Sequence, residues 1–245
     1  MATSITNTSV TTDNLTVDTN TIHVDSTNNR VGIGTTSPAD HLSVVTTGAN
    51  AQLSVDRSDG GAGRTVLIHS STGGQLQTTG SVPLIFGTAD IERMRIDTNG
   101  YVTTPNLPSF LTYGSPSTTS VGSNHYYFHS FSNSGESYNN GSHYNNTTGK
   151  FTAPVAGRYA FGFSIWRGQA YSGGDQLISI NKNTYSSGGA YVGSNASGSQ
   201  YDQIQVHMTY NMAANDWVAP GLYYTGSFSV QASTPRNYFY GYLIG

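Results

Sequence analysis

Two short stretches constrain the whole chain: "GRYAFGFSIW" at 157–166 and "NYFYGYLIG" at 237–245. Each sets bulky apolar side chains at every second position, the period at which a β-strand turns successive side chains to opposite faces. In the first, Tyr159, Phe161, Phe163 and Ile165 share one face, and Ala160, Gly162 and Ser164 share the other. One crowded and one slender face is what the core strand of a two-layer sandwich requires. The stretch before it, "FTAPVAG", reads as a strand ending in a corner at Pro154 and Gly157. In the second stretch Phe239, Gly241 and Leu243 make one face, while Tyr238, Tyr240, Tyr242 and Ile244 make the other equally apolar. A strand buried on both faces must meet another subunit, so Tyr238, Tyr240 and Tyr242 are the expected subunit interface.

Nothing in the remaining sequence favours helices. Only 9% of the 245 residues are charged, while Gly reaches 29 and Tyr 17, a usage suited to short strands and tight turns. The expected fold class is all-β. With a formal net charge of −3 and its Lys and Arg scattered, the chain lacks the electrostatic footprint of a nucleic-acid binder. No run approaches the roughly 18 apolar residues of a membrane span, and the opening "MATSITNTSVTTDN" has neither the basic nor the apolar region of a secretion signal. No membrane insertion is expected, and synthesis is expected in the cytoplasm. With no cysteine, stability has to come from packing and assembly.

The first hundred residues repeat one idea: an apolar i,i+2 pair, then a polar turn. The pairs are Leu15/Val17, Ile22/Val24, Val31/Ile33, Leu42/Val44, Leu53/Val55 and Val66/Ile68. So thin an apolar supply cannot close a compact core, but short strands become ordered if identical copies share surface, which predicts an intertwined trimeric β shaft. The alternative is an unstructured Ser/Thr/Asn-rich arm. "TTPNLPSF" at 103–110 carries two prolines and no apolar pair, so residues 1–103 are assigned to the shaft and its attachment region, 104–109 to a linker and 110–245 to a head.

Within the shaft, "NRVGIGTTSPADHLSV" (29–44) and "ERMRIDTNGYV" (92–102) resemble phrases in the shafts of bacteriophage tail fibres and related trimeric virion appendages. In the first, Gly32 and Gly34 permit close backbone approach and Thr36-Ser37-Pro38 turns the chain. In the head, the spacing of Phe151, Gly157, Tyr159, Phe161 and Phe163, with Asn139 and Tyr144 upstream and Phe239, Gly241 and Leu243 near residue 245, resembles the complement-1q globular head, which shares its jelly roll with tumour necrosis factor. Asn133 stands where that pattern has an aromatic, and Phe131 is the nearest substitute. The resemblance implies a homotrimer of ten-stranded jelly rolls with both ends of each domain at one end of the trimer.

Catalytic chemistry finds little support. Glu occurs only at 92 and 136, and Asp56 and Asp59 sit in a glycine-rich turn, so the paired carboxylates of a polysaccharide hydrolase are not expected. His125 and His129 share a strand face but stand ~13 Å apart at about 3.3 Å per residue, too far to hold one ion. Some complement-1q-like heads hold calcium through apical loops. Here Asp175 is the one acidic residue in such a loop, so no cofactor is expected and calcium at Asp175 is the alternative.

The resemblance places three loops at the end away from the shaft: "RGQAYSGGD" (167–175), "SNASGSQY" (194–201) and "QASTPRN" (231–237). They supply Gln169, Tyr171, Asp175, Asn195, Tyr201 and Arg236, aromatic platforms beside hydrogen-bonding groups, a chemistry suited to sugars. The sequence thus implies a trimeric virion fibre, attached to other virion proteins at its N-terminal end, whose head recognises a bacterial surface glycan. The alternative is a capsid-decorating or structural virion protein.

Overall fold

The computed structural model describes residues 14–17, 21–56, 63–122, 124–132, 137–168, 175–185, 191–193, 202–226, 228–232 and 236–245. These residues form strands without a helix among them, and the chain divides into two compact units, Met1–Pro105 and Asn106–Gly245.

The first unit contains β1 (Asn14–Val17), β2 (Ile22–Asp25), β3 (Arg30–Ile33), β4 (Leu42–Val44), β5 (Ala51–Asp56), β6 (Arg64–Ser70), β7 (Gly73–Thr78), β8 (Leu84–Thr88), β9 (Ile91–Ile96) and β10 (Val102–Thr103). They build three small sheets, ordered β1-β2-β3-β4, β5-β6-β7 and β10-β9-β8. Each expected apolar pair falls inside a strand. Asp residues close several turns, as their short acceptor side chains favour. The Asp97 carboxylate accepts from the Asn99 and Tyr101 backbone N–H groups at 2.8 Å, and these bonds, led by that from Tyr101, hold its pKa below the usual carboxylate range.

β3 and β4 run parallel, and residues 34–41 make the loop between them. Arg30 donates through Nη1 to the Pro38 carbonyl at 2.9 Å. Gly34 has φ +75°, and a Cβ there would strike the carbonyl oxygen of Val45, whose N–H donates to Ile33 at 2.9 Å. What the unit lacks is cover for its apolar side chains. Val66 and Ile68 are buried, yet Leu53, Leu67 and Leu76 are 54%, 56% and 49% exposed although they stand opposite one another across β5, β6 and β7.

The second unit contains β11 (Ser109–Tyr113), β12 (Ser115–Gly122), β13 (His125–Ser132), β14 (Tyr138–Asn140), β15 (Tyr144–Asn145), β16 (Lys150–Thr152), β17 (Gly157–Arg167), β18 (Gln176–Lys182), β19 (Tyr191–Gly193), β20 (Asp202–Met212), β21 (Trp217–Tyr224) and β22 (Tyr238–Leu243). Twelve strands are thus seen among the described residues where ten were expected, the surplus lying in short pieces such as β14 and β15. One sheet runs β14-β11-β22-β17-β20; the other runs β12-β13-β21-β16-β15, with β18 on the far edge of β21 and β19 beyond it. The unit is a jelly roll.

Tyr159, Phe161, Phe163 and Ile165 of β17 are fully buried and form one apolar cluster with Ile178, Ile180, Val218 and Leu222 of the facing sheet. Removing such side chains from water stabilises the fold by roughly 1.5–3 kcal/mol each. Phe110 packs between Tyr144, stacked at 4.5 Å, and Phe239, edge-on at 5.0 Å. Asn139 earns its place by substituting for a strand: its amide donates to the Tyr144 carbonyl at 2.7 Å and accepts from the Tyr144 N–H at 3.1 Å. Phe131 is buried in the core.

Two expectations need correcting. The strand in "FTAPVAG" ends at Thr152, ahead of Pro154 as expected, but Gly157 is already the first residue of β17 rather than part of the corner; Ala153 is held at the turn by its N–H to Asp216 and its carbonyl to Asn215, both at 2.8 Å. Ile244 lies beyond β22, its N–H bonded to Arg158 at 2.8 Å.

β22 lies between β11 and β17, with Phe161 opposite Gly241 and Gly162 opposite Tyr240. A Cβ on Gly241 would strike the Phe161 ring and come within 2.9 Å of Phe110; one on Gly162 would strike the Tyr240 ring. Each ring therefore lies over a glycine of the neighbouring strand, one pair on the core face and one on the outer face. At the base of the unit Ser109 faces Tyr242, and Leu243 N–H donates to Pro108 at 3.0 Å.

Gly241→Ala forces a methyl into packed rings and is expected to cost about 2 kcal/mol. Gly74→Ala, where an added Cβ meets nothing within 4 Å, should leave stability almost unchanged. Thermal unfolding of the two variants, followed by near-ultraviolet circular dichroism, reads the difference.

Candidate functional site

The end of the jelly roll opposite Pro108 is where β17 and β21 finish and where β18, β20 and β22 begin. The connections 168–175, 194–201 and 225–237 therefore all leave from it. Their floor is held by polar groups. Arg167, the last residue of β17, continues the inward alternation of Tyr159 to Ile165 and is fully buried. Its Nε donates to Asp202 Oδ1 at 2.5 Å and its Nη1 to Gln176 Oε1 at 3.0 Å, while its Nη2 pairs with Asp202 Oδ2. A fork of donors matched to both carboxylate oxygens is the geometry that offsets the desolvation of a buried guanidinium. Three strand ends are thereby tied together.

Backbone bonds extend this bracket. Gly168 N–H donates to Ser229 at 2.7 Å, and Gln231 N–H donates to Trp166 at 2.9 Å. Asn237, fully buried, accepts from the Trp166 N–H at 2.6 Å and donates to the Gln231 carbonyl at 2.7 Å.

Of the expected receptor-binding residues, Asp175 and Arg236 are placed on this floor, and Gln169, Tyr171, Asn195 and Tyr201 lie outside the described residues. Asp175 is tied down through its backbone: its N–H donates to Thr225 Oγ1 and its carbonyl accepts from the Thr225 N–H, both at 2.9 Å. Arg236 stacks its guanidinium 4.0 Å above the Trp166 ring, and its carbonyl accepts from Ser164 Oγ at 3.0 Å and Gln203 Nε2 at 3.2 Å. Asp175 and Arg236 thus engage different neighbours. Among the described residues no group of three or more His, Asp or Glu side chains could hold a metal ion. His125 packs on Tyr223 at 5.0 Å, and His129 bonds Thr119 Oγ1 at 2.9 Å and Ser130 Oγ at 2.8 Å.

The outer face of the β14-β11-β22-β17-β20 sheet carries the three expected interface tyrosines. Tyr238, Tyr240 and Tyr242 form a ladder with ring centroids 6.1 and 6.4 Å apart, and the first two, with Leu111 and Tyr113, line an apolar recess of about 400 Å³. Desolvation, reinforced by neighbouring tyrosines, pushes the pKa of the Tyr240 hydroxyl up, and the hydroxyl lies 3.3 Å from His207 Nδ1.

Trp166, Arg167, Asp202 and Gln203 were not singled out from the sequence. The signal for Arg167 was present: the alternation through Ile165, carried one step further, turns it inward.

This two-sheet jelly roll is of the type shared by complement-1q heads and tumour-necrosis-factor-like ligands. Residues 117–244 match the C1q domain family, so the chain belongs to that family. Among solved structures, the globular domain of zebrafish complement 1qA protein is similar at 18% identity and a TM-score of 0.40, covering 57% of this chain and 98% of that one. Murine APRIL at pH 8.0 is similar at 8% identity and a TM-score of 0.40, covering 56% and 98%. No curated protein matches the chain at a significant level.

Asp202→Ala leaves the buried Arg167 guanidinium with Gln176 as its remaining described side-chain partner. The change is expected to cost about 3 kcal/mol, with Asp202→Asn losing less. Denaturant midpoints of the two variants check the ranking.

Proposed function

We propose that the protein is a homotrimeric bacteriophage fibre in which the first unit is an intertwined shaft and the jelly roll is a non-enzymatic tip that recognises a glycan on the bacterial surface. The observation that carries assembly is the tyrosine ladder. A β-strand in the interior of a sheet that offers Tyr238, Tyr240 and Tyr242 on the side away from its own core presents a face suited to burial against further copies. The exposed Leu53, Leu67 and Leu76 of the first unit give it the same need for neighbours. The threefold order comes from the C1q family, and a threefold shaft continues into a threefold head without breaking symmetry.

The virion setting rests on the two shaft phrases and their resemblance to tail fibres. Recognition rests on the apical end, where loops rich in Ser, Gly, Asn and Tyr spring from a floor fixed by Arg167, Asp202 and Asn237, the division of labour expected of a binding surface. Weak single-site affinity is compensated when three tips act together. The second reading, a capsid-decorating protein, is favoured by the same tyrosine ladder, since assembly alone explains it.

Tyr240→Glu places a charge in the ladder and is expected to convert trimers to monomers, read by light scattering of the full-length protein. A wild-type protein that is monomeric at micromolar concentration would remove the trimer. Purified protein should also adsorb saturably to bacterial cells and compete with phage infection. Absence of adsorption to cells that the phage infects would favour the decorating role.

A further inference from the structure

The outer face of the β17-β22 sheet has an order that ends in a cation. Pairing across the strands sets Tyr242 beside Ala160, Tyr240 beside Gly162 and Tyr238 beside Ser164; on the other side of β17, Ser164 faces Gln205 and Trp166 faces Gln203. Continuing from base to tip, the next step after Tyr238 is Arg236 over Trp166, at the apical rim.

Arg236 is held in place before any ligand arrives. Its carbonyl takes two hydrogen bonds, from Ser164 Oγ at 3.0 Å and Gln203 Nε2 at 3.2 Å, and its guanidinium carbon lies over the indole, 4.0 Å from the ring centre. A guanidinium held over an aromatic ring by cation–π attraction keeps N–H donors that the ring does not use. The other cations of the jelly roll for which partners are described are engaged: Arg167 with Asp202, Lys182 with Asp216 at 2.8 Å, and Lys150 with the Trp217 ring at 3.8 Å. Among the described residues no carboxylate is paired with Arg236, which is exposed.

We infer that Arg236, backed by Trp166 and Gln203, is a carboxylate-binding subsite for an acidic saccharide, with the uronate-type carboxylate taken edge-on by two parallel guanidinium N–H donors. A planar, preoriented donor fork selects a planar oxyanion in a way that a flexible ammonium does not. The chain carries a net charge of −3, so attraction to a polyanion has to be local rather than a property of the whole surface. This assignment rests on the receptor-recognition reading above and narrows its ligand to acidic glycans.

The test uses the full-length protein against immobilised polygalacturonate, with the fully methyl-esterified polymer as the neutral control. The wild type should bind the acid and not the ester. Arg236→Gln should weaken binding about tenfold, and Arg236→Lys should weaken it partially, because one ammonium cannot supply two parallel donors. Arg158→Gln removes the same charge at the base of the unit and should leave binding intact. Equal binding of acid and ester, equal binding by wild type and Arg236→Gln, or failure to bind the acid polymer would overturn the subsite. If saturable adsorption to cells persists alongside any of these, glycan recognition stands without a carboxylate preference; loss of adsorption to every cell tested removes the recognition reading itself.

Discussion

The contact on which the jelly roll depends is the laying of aromatic rings over glycines between β17 and β22. Phe161 covers Gly241 on the core side, and Tyr240 covers Gly162 on the outer side. Without a Cβ in the way, rings sit flat against the sheet, so both faces of β22 carry aromatics. The core face closes the apolar cluster around Phe110 and Phe239. The outer face becomes the tyrosine ladder, desolvated enough to shift the Tyr240 hydroxyl.

The end of the jelly roll opposite Pro108 is built on a different principle. There the inward row of β17 passes from Ile165 to Arg167, and the interior changes from dispersion contacts to a charge-assisted network with Asp202 and Gln176. Such a network tolerates little change in geometry, because a buried guanidinium that loses its partner pays the full cost of desolvation.

Much of this was legible in the residues. Period-two alternation marked β17 and β22, and the i,i+2 pairs marked the strands of the first unit, because a strand's side-chain period is imposed by the backbone alone. The poverty of that unit in buried side chains also followed from its thin apolar supply. Less visible were features that depend on tertiary partners. The parallel pairing of β3 with β4 is steered by a loop in which Arg30 reaches the Pro38 carbonyl, a contact no local pattern announces. Trp166 is unremarkable in sequence until Arg236, seventy residues later, is folded onto it. Of the expected binding residues, Asp175 proved to be anchored by its backbone, and the role of its side chain did not follow from residue type.

The position of β22 also governs the order of events during synthesis. Residues 238–243 are the last strand of the unit to leave the ribosome, yet they occupy the place between β11 and β17. Until they emerge, that sheet is split into two halves with unpaired edges, and Phe110 and Phe161 have no Phe239 against them. The nascent jelly roll therefore cannot close cotranslationally strand by strand; it waits, exposed, for its final segment. The same delay keeps the tyrosine ladder from forming before residues 238–243 have emerged.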